Sequence, residues 1–132
     1  MFVGDYKPGG SIDLKSITAA NNGDDGIEIA GSDIDVIDAK ANYNNDVGIV
    51  INGDAVIEGS KISISDTQAN GNASGDGIYI SKTKKIELEN IEANDNDSGF
   101  GIRIDTAPLD LSLKGRISLN GNIVGFGTIS GF

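Results

Sequence analysis

The stretch KIELENIEANDNDSGFGIRI, residues 85–104, reads as one complete turn of a repeating coil. Laid over the rest of the chain it finds three more copies, at residues 11–29, 33–51 and 61–80, and a degraded fifth at 108–129. The first apolar residues of the copies are Ile12, Ile34, Ile62, Ile86 and Leu109, at intervals of 22, 28, 24 and 23 residues. Periods of roughly 20 to 50 residues mark solenoids, propellers or arrays. Leu14, Val36, Ile64, Leu88 and Leu111 follow two residues on; Ile17, Ala39, Thr67, Ile91 and Lys114 follow five on. Seven on, Ala19, Ala41, Ala69 and Ala93 form a small-residue column, which Arg116 breaks in the last copy.

Four copies close with Gly-Ile-x-Ile: Gly26-Ile27-Glu28-Ile29, Gly48-Ile49-Val50-Ile51, Gly77-Ile78-Tyr79-Ile80 and Gly101-Ile102-Arg103-Ile104. Within each copy the apolar residues alternate, as strands with one buried face require. Most are Ile and Val, whose branched side chains suit a pleated surface. Each copy holds three such runs, separated by Gly, Asn and Asp. About 22 residues with three strands describe a triangular coil, with equivalent residues stacked about 4.8 Å apart on successive windings. The fold class expected is all-β: a parallel β-solenoid of about five coils, three short strands each, forming one domain over residues 1–132. The coils start near 11, 33, 61, 85 and 108, and residues 1–10 form an N-terminal cap or partial coil. Phe2-Val3 is placed there as the last strand of a preceding coil, and Pro8-Gly9-Gly10 turns into the first full one.

An Asn-x-Asn pair follows the Ala column: Asn42-x-Asn44, Asn70-x-Asn72, Asn94-x-Asn96 and, in the last copy, Asn120-x-Asn122. Asn tolerates left-handed backbone geometry and bonds its own turn, and stacked Asn side chains form ladders. Asn22, Asn44, Asn72 and Asn96 are therefore read as a structural corner. This corner followed by Gly-Ile-x-Ile, four times over, resembles the right-handed parallel β-helix of the pectin-lyase-like superfamily. It is similar in particular to the repeats of large secreted bacterial proteins of the filamentous-haemagglutinin and adhesin type. The resemblance covers residues 11–129 and supplies the handedness. It is specific for architecture and not for function, because lyases, tailspikes and adhesins share it.

Composition narrows the function. Twenty acids against ten bases leave a net charge of −10 in 132 residues. Nucleic acid and anionic membranes demand a basic face, so neither is expected as a partner. The chain has no Cys and no His, which removes disulfides, thiolate metal sites and His-based catalysis. No apolar run is long enough to span a bilayer. Residues 1–5 have neither a basic start nor an apolar core, so no signal peptide is read there.

Three places hold chemistry to weigh. Asn94-Asp95-Asn96-Asp97-Ser98-Gly99 alternates oxygen ligands before a Gly, but lacks the bidentate Glu and flanking helices of an EF-hand. Asp24, Asp25, Asp46 and Asp76 fall in the same corner of other coils, so the metal candidates, for calcium, are Asp24, Asp25, Asp46, Asp76, Asp95 and Asp97. Solvated turn residues are the plainer reading. The outward column Asp13, Asp35, Ser63, Glu87 and Asp110 is a possible cation or basic-partner face, and more simply a hydrated one. Polysaccharide cleavage is what the resemblance to lyases implies, through Asp-bound calcium and an Arg or Lys base. Here the only arginines are Arg103 and Arg116, and the neighbours of Arg103 in its column are Glu28, Val50, Tyr79 and Thr128. That column is no paired-carboxylate site.

No catalytic residue and no cofactor is therefore assigned, and the chain is not read as an enzyme. It reads as a structural or adhesive β-helix segment of a secreted or cell-surface protein. The alternatives are a polysaccharide-binding or -degrading module and a self-assembling fibre subunit. The partners expected are neighbouring β-helix coils or end-to-end copies of the chain, and a glycan or host surface. The longest coil inserts residues 52–59 between Ile51 and Ile62, and insertions of this kind gather on one face of a solenoid.

Overall fold

Isoleucines at a fixed phase in every copy dictate the fold, because each can be buried only against its counterpart in the next winding. A computed structural model describes residues 1–4, 10–54, 59–97, 99–105, 110–122 and 124–129. In chain order the strands are β1 (Phe2–Gly4), β2 (Ser11–Lys15), β3 (Ile27–Ala30), β4 (Asp33–Ile37) and β5 (Ile49–Asn52). They continue with β6 (Ile62–Gln68), β7 (Ile78–Ser81), β8 (Lys85–Glu92), β9 (Phe100–Asp105), β10 (Asp110–Ser118) and β11 (Val124–Ile129). One sheet has the order β1-β3-β5-β7-β9-β11 and the other β10-β8-β6-β4-β2. Every pairing is parallel, and the chain alternates between the sheets, so each winding adds one strand to each. β1 pairs with β3 through Phe2↔Glu28 and Val3↔Ile29, the place expected for Phe2-Val3.

Registers are those the repeat requires. Ile27, Ile49, Ile78 and Ile102 stack in one column, and Ile29, Ile51, Ile80 and Ile104 in the next. On the facing sheet Ile12, Ile34, Ile62 and Ile86 stack, beside Leu14, Val36, Ile64 and Leu88. All but Leu14 are buried, and the two sets meet in one core. At about 2 kcal/mol per fully buried aliphatic side chain, these columns are the main stabilising term. Thr67 interrupts the column of Ile17, Ala39 and Ile91 without penalty: its Oγ1 donates to Ser65 O at 2.8 Å and accepts the Ala39 N–H at 3.3 Å.

The structure corrects the expected coil in four respects. First, the middle run is not an independent strand. In the early windings it is a line of single bridges, Thr18↔Lys40↔Gln68; later it continues β6, β8 and β10. The cause is one left-handed residue per winding, Ser16, Asp38, Asp66, Asn90 and Gly115, which bends the ribbon there. Second, the left-handed residue of the Asn corner is the one between the paired asparagines, Tyr43, Gly71, Asp95 and Gly121, and in the first winding, which has no such pair, Asn21 before Asn22.

Third, the last winding is out of the expected phase by two residues. Leu111, not Leu109, faces Ile86, and Leu113 faces Leu88 (Leu109 itself lies outside the described residues). An irregularity between Lys114 and Ile117 then places Ile117 opposite Ile91, leaving Lys114 and Arg116 exposed rather than inward. Asp110 faces Lys85, so Ser112 and not Asp110 follows Glu87 in the outward column. On β11, Phe126 faces Ile102 and Thr128 faces Ile104, and Arg103 faces Gly127 rather than Thr128. Fourth, the regular solenoid is about four turns, β2–β3 to β8–β9, with β10–β11 as a distorted winding. The inserted segment 52–59 lies partly outside the described residues.

Candidate functional site

The Asn corner is a double ladder. The second Asn of each pair donates from its N–H and its Nδ2 to Oδ1 of the next winding. Asn22 reaches Asn44 at 3.1 and 2.8 Å, and Asn44 reaches Asn72 at 3.0 and 3.2 Å. Asn72 reaches Asn96 at 3.0 and 2.8 Å, and Asn96 reaches Asn122 at 2.9 and 3.0 Å. The first Asn of each pair turns its acceptor the opposite way along the stack, to the later winding: Asn42, Asn70 and Asn94 Oδ1 accept the N–H of Asn70, Asn94 and Asn120, each at 2.8 Å. Asn44, Asn72 and Asn96 are buried and Asn22 is exposed. Asn44, Asn72, Asn96 and Asn122 thus each accept a backbone N–H of the preceding winding that a sharp bend would otherwise orphan.

Of the six metal candidates the structure gathers three. Ligand oxygens of Asp24, Asp25 and Asp46 all lie within 4.8 Å of one another. Burial pushes the Asp25 carboxyl above the usual carboxylate range; the charges of Asp46, Asp24 and Glu28 push the same way, against a lowering bond from the Val47 N–H. Three carboxylates could hold a hard cation, although calcium takes 6 to 8 oxygens and the rest would have to come from water or backbone. Asp25 Oδ1 is already engaged, accepting the Val47 N–H at 3.0 Å. Asp76, in the equivalent position two windings on, is drawn off in the same manner. Its Oδ1 accepts the Phe100 N–H at 2.8 Å, and its Oδ2 lies 3.2 Å from Arg103 Nε. That contact is an ion pair off the N–H axis, so Nε makes no hydrogen bond. Asp95 and Asp97 are exposed and stay apart from the cluster; Ser98 of the same stretch lies outside the described residues.

In two outward columns named from the sequence, the structure adds contacts that spacing did not reveal. On the outer face of the first sheet the Arg103 guanidinium lies 4.6 Å from the centre of the Tyr79 ring and 5.8 Å from that of Phe100. Tyr79 in turn donates its hydroxyl to Asp105 Oδ2 at 3.1 Å, and burial together with that carboxylate raises its pKa. The shared column of Tyr79 and Arg103 was the available signal. On the outer face of the second sheet, Asp13, Asp33, Asp35 and Lys61 line an open depression of about 280 Å³. Lys61 Nζ lies 2.7 Å from Glu87 Oε2 and lowers the pKa of that carboxyl. The acidic column is therefore partly neutralised by a base just before the neighbouring strand β6.

Parallel windings, inward Ile columns and a stacked Asn corner define a β-helix repeat protein. Residues 6–132 match the family described as right handed beta helix region, and the chain belongs to that family. The comparisons with curated proteins and with solved structures gave no match. The family holds both enzymes and non-enzymes, so membership fixes the architecture and not a reaction.

Proposed function

We propose that the chain is a non-enzymatic structural and adhesive segment of a protein displayed outside the cell. The observation that carries this reading is the unbroken ladder from Asn22 to Asn122 beside unbroken aliphatic columns. It gives a stiff rod whose outward positions are free to vary. The ion pair of Arg103 with Asp76 is internal to the rod and leaves Asp76 committed to the fold. End-to-end association with further windings belongs to the same reading, because Leu113 and Val124 of the last winding are 49% and 42% exposed. Apolar edges of this kind invite strand pairing. Beads coated with the protein and tested under flow on cultured cells and immobilised glycans should be retained above albumin-coated beads. No unsaturated uronate or new reducing ends should appear from polygalacturonate. Product release overturns the non-enzymatic half; retention no better than albumin overturns the adhesive half.

A second reading, a polysaccharide-acting module, is favoured by the depression lined by Asp13, Asp33, Asp35 and Lys61, where carboxylates and a base share one face. Product release lost in Asp35→Asn would establish it.

A further inference from the structure

We propose that the corner of the second winding is a binding site for a neutral saccharide, with the ring of Tyr43 as its platform. This rests on the adhesive half of the function proposed above and names its partner chemistry.

The first observation is conformational. Five residues occupy the left-handed position of the Asn corner, and four of them, Asn21, Gly71, Asp95 and Gly121, are of types that adopt it readily. Tyr43, at φ 59°, is not. A bulky side chain in this region is an outlier, and such strain is retained where the side chain has a use. The second observation is exposure. Tyr43 is 66% exposed, and the other large hydrophobic residues so exposed among those described, Met1, Phe2, Leu113 and Val124, sit at or beside the terminal strands β1, β10 and β11. Tyr43 alone lies on an interior winding, where the end of the stack does not account for it.

The third observation is the surround. Tyr43 stands in an open depression of about 350 Å³ with Asn21, Asn22, Asn45, Gly71 and Ala73. A Cβ on Gly71 would come within 2.7 Å of the ring, so the ring rests against backbone that only glycine leaves bare. Asn21 and Asn45 are exposed, and their side-chain amides, unlike those of the ladder, bond to no described residue. An amide offers donors and an acceptor together, which matches a sugar hydroxyl that does both. Tyr, Asn and Gly in combination supply rigid flat contact area with adaptable polar groups around it, the chemistry of binding surfaces that pay little entropy on contact. Charge selects among sugars. Asp24 and Asp46 are exposed on the adjoining turn, none of the residues around the ring is basic, and the chain carries −10. A uronate or sulfated glycan would meet repulsion with no cation to hold it.

The test is titration of the isotope-labelled protein, followed by NMR and calorimetry, with maltotetraose, cellotetraose, mannotetraose and chitotetraose, and with tetragalacturonate as the anionic control. At least one neutral tetrasaccharide should shift the resonances of Tyr43 and Asn45. Tyr43→Gly should weaken that binding tenfold or more while leaving Tm equal or higher, since glycine takes the backbone conformation without strain. Asn45→Ala alters an exposed side chain outside the ladder and should weaken binding at unchanged Tm, which keeps the test readable if Gly at 43 loosens the corner. No perturbation by any of the neutral tetrasaccharides, response to tetragalacturonate alone, or wild-type affinity in both variants would each overturn the site. Bead retention on cells that survives Tyr43→Gly would overturn it too, while leaving the adhesive reading in place.

Discussion

Asn72 shows how much one side chain carries in this fold. Its Oδ1 accepts two bonds from Asn44, and its own N–H and Nδ2 are spent on Asn96, all out of contact with water. Asn72→Ala strands two donors of Asn44 and halves what Asn96 receives. Each buried polar group left unpaired costs about 1–3 kcal/mol, so a loss of about 3 kcal/mol is expected. It should appear as a lower urea midpoint at unchanged slope. Asn22→Ala, at the exposed first rung, should cost about 1 kcal/mol or less by the same account. Equal losses at the two rungs would show that the ladder is not what holds the corner. The asparagines that build this ladder were legible from their spacing alone. Which residue of Asn-x-Asn turns left-handed was not, because Asn itself takes that conformation readily. The choice follows from the ladder: both flanking asparagines must aim side chains along the stack, which leaves the turn to the residue between them.

At the scale of the element, the windings are spaced by backbone contact, and glycine sets the closest approach. A Cβ at Gly48 would lie 2.6 Å from Gly77 O, 2.7 Å from Asn72 Nδ2 and 2.9 Å from Ala41 O. None of these is the free end of a flexible side chain, so Gly48→Ala must push two windings apart. Overpacking of this kind costs about 1–3 kcal/mol, and the upper end is expected here because backbone is displaced. Gly23, in the same corner, has nothing within 4 Å of its would-be Cβ. Gly23→Ala should stay within about 0.5 kcal/mol of the wild type. The comparison is read by thermal unfolding of the two variants, and a Gly48→Ala protein as stable as Gly23→Ala would mean that the windings are looser than their registers imply. The regular windings were legible in the sequence because an in-register error of one residue would expose every isoleucine. The last winding was misread for the complementary reason. A slip of two residues keeps inward positions inward, so alternation cannot tell Leu109 from Leu111. The warning was Lys114 and Arg116 at inward positions; the structure answers it with an irregularity that turns both outward and brings Ile117 into the column.

For the molecule as a whole, a charge of −10 on a thin rod means that carboxylates crowd wherever equivalent turns adjoin. Among the described residues they gather at Asp24, Asp25 and Asp46, which sit on adjoining turns of the first two windings; Asp76 does not join them, having Arg103 and the Phe100 N–H within reach. The consequence is a defined pH dependence. Asp25 has a folded pKa above its ordinary 3.8, first from burial and then from its acidic neighbours. A carboxyl so raised binds its proton more tightly folded than unfolded. Its ionised form therefore destabilises the fold at neutral pH, and that cost disappears as pH falls through the raised pKa toward 3.8. Glu87 works in the opposite sense: Lys61 lowers its pKa, so its contribution is present above its ordinary 4.5 and lost as pH falls through the lowered value. The two are separable by mutation. Asp25→Asn keeps an acceptor for the Val47 N–H and removes the charge. At pH 7 it should be more stable than the wild type, by a margin that shrinks with added salt. As pH falls toward 3.8 the two unfolding curves should converge, because the wild-type group becomes neutral as well. Urea unfolding at several pH values reads the outcome. A variant less stable at pH 7 would show that Asp25 is stabilised by its neighbours rather than crowded by them, as it would be if a cation were shared among the three carboxylates, and a margin that stays constant down to pH 4 would show that the margin does not come from a raised pKa.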